Sequence, residues 1–65
     1  MDLNAIGKFI ATKREERELS QTTLAEQLNT TEKVVAKWED GKSFPASKYI
    51  VSLCEILGIT ANELM

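Results

Sequence analysis

The sequence predicts an all-α domain of five short helices, and three observations predict it. Apolar residues recur at spacings of three and four, and no segment alternates with period two. Capping residues punctuate those stretches at short intervals, which keeps each helix short. The chain has 65 residues, enough for one core and no second domain, so residues 1–65 are expected to pack as a single unit.

Ile6, Phe9, Ile10 and Arg14 form a buried stripe behind a cap at Asp2 or Asn4, which predicts a first helix over about residues 4 to 17. Ser20 caps a second helix whose inward face is Leu24, Ala25 and Leu28. Asn29 ends it, being one of the few non-glycine residues that tolerate a left-handed backbone. Thr30 or Thr31 caps the third helix, which runs to about Asp40 and stops at Gly41. After a loop through Ser43, Phe44 and Pro45, a fourth helix begins near Ala46 or Ser47. Its inner face is Ile50, Leu53, Cys54 and Leu57, and Gly58 terminates it with Ile59 covering the end. Thr60-Ala61-Asn62-Glu63 has the form of a capping box and opens a last short turn.

Composition removes several classes of function. Histidine is absent and Cys54 is the sole cysteine, so neither a metal site nor a nucleophile with its base is on offer, and no enzyme activity or cofactor is expected. One cysteine forms no internal disulfide, which fits a reducing compartment and a cytoplasmic home. No apolar run approaches the roughly 20 residues of a membrane span, and Met1-Asp2-Leu3-Asn4 lacks the basic start of a secretory signal. The formal net charge of -2 runs against nucleic-acid binding, which usually draws on a basic excess. Distribution counters it: Lys33, Lys37, Lys42 and Lys48 outnumber Glu32, Glu39 and Asp40 between residues 32 and 48.

On a wheel of about 100° per residue, Val35, Trp38 and Glu39 share one arc of the third helix, with Lys33, Lys37 and Asp40 opposite. The two lysines stand one turn apart, roughly 5 to 6 Å, near enough to address neighbouring base pairs or a base and a phosphate. Val34 flanks that arc with no obvious core to enter, which makes it a candidate for a thymine methyl. A solvated helix face produces the same lysine spacing, so the spacing alone does not decide. The close crossing that Ala25 permits between two short helices favours a helix-turn-helix. Arg14 and Glu39 each extend a buried stripe and would be stranded without an opposite charge, so they are expected to pair and lock the first helix to the third.

These residues resemble the lambda-repressor-like helix-turn-helix proteins, also called XRE-family regulators. The resemblance covers nearly the whole chain: Arg14, then Leu19-Ser20-Gln21 before Leu24-Ala25, then Lys37-Trp38-Glu39-Asp40-Gly41-Lys42 with Pro45 shortly after, then Leu57-Gly58-Ile59-Thr60. It implies a compact five-helix fold, binding of double-stranded operator DNA through the third helix, and regulation of transcription, with repression the expected sense. By the same resemblance Thr31, Glu32, Lys33 and Lys37 fall on positions that read base edges. Gln21, with Ser20 and Thr22, and then Lys42 and Ser43, fall on those that hold phosphates.

Glu32 carries two readings, an acceptor for a cytosine amine or an acid favoured by the helix dipole. Glu18 and Asn29 stand where the family usually has glycine, and a left-handed Glu18 would cost about 1 kcal/mol. Binding as a homodimer is expected, one third helix per half-site. Leu57, Ile59, Leu64 and Met65 are the apolar candidates for the contact, with packing inside one chain as the alternative. A C-terminal effector or dimerisation module outside this chain stays open, as does a small complete repressor. The competing function is a protein-interaction or antitoxin-like module that does not read bases.

Overall fold

The computed structural model describes residues 2–64, and these form five helices: α1 Leu3–Glu16, α2 Gln21–Gln27, α3 Glu32–Glu39, α4 Ser47–Leu57 and α5 Ala61–Leu64. No strand occurs among the described residues. The predicted bounds hold to within about a residue because the caps fall where the sequence has them. Asp2 starts α1, its carboxylate accepting from the N–H groups of Asn4 and Ala5 at 3.0 and 3.2 Å. Ser20 starts α2, with its hydroxyl accepting from the N–H of Thr23 at 3.0 Å. Thr60 and Glu63 close the expected capping box, the Thr60 N–H donating to Glu63 Oε1 at 2.8 Å. Thr31 holds the cap position of α3, but its hydroxyl makes no cap hydrogen bond.

The first four helices end alike. In each, the residue after the last turn takes a left-handed backbone: Glu18 (φ 56°), Asn29 (φ 58°), Gly41 (φ 74°) and Gly58 (φ 68°). The following N–H then reaches back five residues: Leu19 to Arg14, Thr30 to Ala25, Lys42 to Lys37 and Ile59 to Cys54, all between 2.9 and 3.1 Å. Helices and connections are thereby cut short together, which folds α2 back against α3 over a four-residue connection from Leu28 to Thr31.

The core gathers Ile10, Leu24, Ala25, Leu28, Val35, Trp38, Leu53, Leu57, Ile59 and Leu64. Ile50 and Cys54 are half-buried at its margin. Trp38 faces Tyr49 with ring centroids 5.5 Å apart, tying α3 to α4. Gly7 lets α1 meet the end of α3: a Cβ there would stand 2.4 Å from the carbonyl oxygen of Trp38 and 2.6 Å from that of Glu39. Pro45 is buried and Phe44 packs on the core, so the loop after α3 is pinned at its far end.

Two expectations are corrected by this packing. Leu57, Ile59 and Leu64, candidates for a dimer contact, are 2%, 8% and 1% exposed within a single chain and have no free surface to offer. They come from the end of α4, the connection after it and α5, and all three turn into the core. Met65 lies outside the described residues. Val34, expected to lack a core, is half-buried and packs against it, α3 being in contact with both α1 and α2.

Candidate nucleic-acid interface

The position of α3 follows from a polar cluster at its C-terminal end. Arg14 of α1 grips Glu39 with both edges of its fork, Nε donating to Oε2 at 2.7 Å and Nη2 to Oε1 at 3.1 Å. The remaining nitrogen, Nη1, donates to the carbonyl of Leu19 at 2.7 Å. The Arg14 and Glu39 side chains are 13% and 6% exposed, so the pair is sheltered, and neither leaves a buried polar atom unpartnered. The hydrogen bond to Glu39 raises the Arg14 guanidinium still further above its ordinary range. Every guanidinium nitrogen is spent inside the protein, which makes Arg14 a structural residue rather than a phosphate ligand.

Gln21 joins this cluster. Its Nε2 donates to Glu39 Oε1 at 2.8 Å, so α1, α2 and α3 meet at one carboxylate. The neighbouring Thr22 hydroxyl donates to Glu32 Oε2 at the opposite end of α3. Neither contact was legible in the sequence: the partners stand 18 and 10 residues apart, and only the crossing of α2 over α3 brings them together. Ser20 Oγ is committed to Thr23, accepting from its N–H at 3.0 Å and donating to its hydroxyl at 2.9 Å.

With one face of α3 closed by Val35 and Trp38, its outer face is polar. Thr31, Glu32, Lys33, Lys37 and Asp40 are exposed, and the half-buried Val34 lies beside them. Lys33 and Lys37 are one turn apart on that face. Lys42 is exposed and Ser43 half-buried just beyond the helix, on a loop whose start is fixed by the 2.9 Å bond from Lys42 N–H to the Lys37 carbonyl. The arrangement thus presents donors along one convex helix, with a further cation and a hydroxyl at its end. None of these side chains approaches a group of acids able to hold a metal among the described residues.

Two short helices packed across a tight turn, the second bearing an exposed polar face, define a helix-turn-helix module, the device that lays a second helix in the major groove. The comparisons agree. The chain belongs to the helix-turn-helix domain family, whose model matches residues 7–65. It is 33% identical over 49 residues to the HTH-type transcriptional activator BcrR of Enterococcus faecalis, a match covering 75% of this chain and 24% of that protein. The chain therefore spans about a quarter of the length of that curated relative. Among solved structures it is similar to two crystal structures of the clp gene regulator ClgR from Corynebacterium glutamicum. Their TM-scores are 0.85 and 0.84 at 20% identity, covering 98% of this chain and 68% and 82% of theirs. At that identity the likeness shows the fold, five helices in the same arrangement.

Proposed function

We propose that this chain binds double-stranded DNA in a sequence-dependent way, α3 entering the major groove, and that it regulates transcription. The observation that carries the proposal is the outer face of α3: Lys33 and Lys37, one turn apart and exposed, on a helix held from behind by Arg14, Glu39 and Gln21. Lysine donors suit guanine O6 and N7, and each such contact discriminates by about 1 to 3 kcal/mol at best. Thr31, Glu32 and Val34 complete the reading surface. Lys42, Ser43 and the start of α2 from Ser20 to Thr22 meet the flanking phosphates, α2 through its main-chain N–H groups, since the side chains of Ser20, Gln21 and Thr22 are held by Thr23, Glu39 and Glu32. The names of BcrR and ClgR support regulation as the purpose.

A module this small buries about 600–1,000 Å² on DNA, so useful specificity calls for a homodimer on a two-part operator. The copies do not pair through Leu57, Ile59 or Leu64, which are already covered. A reducing, cytoplasmic setting suits both the partner and the lone Cys54. A reporter driven from the bound site reads the sign of regulation: repression is what the family resemblance implies, activation what the name of BcrR suggests.

Selection of bound duplexes from a random pool, followed by fluorescence anisotropy across a salt series, tests the proposal. The expected result is a palindrome with half-sites about one helical turn apart. Lys33→Ala and Lys37→Ala should each relax the preference at one position. The net charge of -2 favours one rival, a helix-turn-helix module that docks a protein instead. Absence of duplex binding at low salt would decide for that rival.

A further inference from the structure

Consecutive residues of α2 hold α3 at its two ends, Gln21 at Glu39 and Thr22 at Glu32. The first contact belongs to the sheltered Arg14 cluster and is accounted for as architecture. The second joins two exposed side chains, and a hydrogen bond in water adds little to stability. What it does add is direction. With Oε2 accepting from the Thr22 hydroxyl, the carboxylate of Glu32 is biased towards one orientation, and Oε1 accepts no hydrogen bond among the described residues.

We propose that Glu32 reads the exocyclic amine of a cytosine, and that Thr22 is the positioning residue that aims it. This rests on the DNA reading proposed above. Glu32 is the first residue of α3, the end from which groove-bound helices contact base edges. A carboxylate has acceptors alone. In the major groove it can be satisfied by an amine donor, which cytosine presents at N4 and adenine at N6; adenine's N7, an acceptor beside its amine, repels the second oxygen and leaves cytosine the better partner. Opposite a guanine or a thymine the same charge meets acceptors and is penalised, so Glu32 works as much by exclusion as by attraction. The hydroxyl of Thr22 and the positive end of α3 offset the cost of bringing a carboxylate among phosphates.

The test compares wild type, Thr22→Val, Glu32→Gln and Glu32→Ala by duplex selection and competition anisotropy, with thermal melts to show that each variant folds. Wild type should select cytosine at one position per half-site, and any other base there should weaken binding about tenfold. Thr22→Val should reduce that preference severalfold at that position alone, with the salt dependence unchanged. Glu32→Gln should move it towards adenine, since a carboxamide both donates and accepts. If Thr22→Val instead weakens all duplexes equally and lowers the salt slope by about 1, Thr22 is a phosphate contact and the proposal falls. It falls too if Glu32→Ala leaves the selected sequence unchanged, even where the lysine variants alter it. Failure of wild type to bind any duplex at low salt would overturn the DNA reading as well.

Discussion

Replacing Gly7 with alanine sets two effects against each other and measures how closely α1 approaches α3. In a helix interior glycine is worse than alanine by about 0.8–1.0 kcal/mol, so propensity alone makes Gly7→Ala stabilising. The structure says otherwise. The new methyl would stand 2.4 Å from the Trp38 carbonyl oxygen, 2.6 Å from that of Glu39 and 2.9 Å from the Glu39 carbonyl carbon. Ordinary contact begins near 3.4 Å, so the last turn of α3 must retreat by about 1 Å, and what moves is backbone. Overpacking of this kind costs about 1–3 kcal/mol, at the upper end here because Glu39 would be drawn from Arg14. The net expectation is a loss of about 1–2 kcal/mol, which for a domain this size lowers Tm by about 5–15 °C. Thermal melts followed by circular dichroism check it, with Thr12→Ala, at an exposed site on α1, as the control in which propensity acts alone. A Tm for Gly7→Ala equal to or above wild type would refute the close approach and, with it, the inference that α1 sets the position of α3.

Three further outcomes are expected. Glu18→Gly should raise stability by about 0.5–1 kcal/mol, because Glu18 ends α1 at φ 56° where glycine is at ease; an unchanged denaturation midpoint would remove the strain. Arg14→Met should cost about 3–5 kcal/mol by leaving Glu39 sheltered with Gln21 alone, whereas Arg14→Met with Glu39→Leu should recover most of that loss in a double-mutant cycle. Burial pushes the Cys54 thiol above its ordinary value near 9.0, with Glu63 adding to the shift. The unfolded thiol thus ionises first: the stability Cys54 contributes is complete below about pH 9 and is lost as pH rises through the folded value. Urea melts at pH 7 and pH 10 should show wild type losing more than Cys54→Ala, and equal losses would contradict the shift.

Helix ends were the most legible part of this chain, since caps are local: Asp2, Ser20, Asn29, Gly41, Gly58 and the Thr60 box each act within five residues of where they stand. The pairing of Arg14 with Glu39 was legible too, because a charge on an apolar stripe demands a partner and the chain offers few. What periodicity does not reveal is which element covers a face. Leu57, Ile59 and Leu64 suited a dimer contact or packing inside one chain, and the structure buries them within the chain. For the same reason Val34 looked free and is half-buried. Gly7 carried no signal of its own, as a mid-helix glycine reads as a weak helix former until the neighbouring backbone is seen. The contacts of Gln21 and Thr22 depend on the crossing of α2 over α3, a tertiary fact that no local pattern encodes.

The acidic balance of the chain and the restraint of α3 bear on each other. A strongly basic domain is held to DNA by phosphate attraction whatever the sequence, and base contacts then add to an affinity already large. Here the net charge is -2, and Lys33, Lys37, Lys42 and Lys48 are nearly balanced by Glu32 and Glu39 of α3 and Asp40 at its end. Under the proposed DNA reading little non-specific attraction is then available, so discrimination has to come from side chains that already point the right way before the duplex arrives. That is where the structure spends its polar contacts. Arg14, Gln21 and Glu39 fix the helix at its C-terminal end, and Thr22 fixes the carboxylate at its N-terminal end. In that reading the exposed Thr22 bond, which adds little to folding in water, acquires its value when a misaligned base would leave the Glu32 carboxylate unpaired.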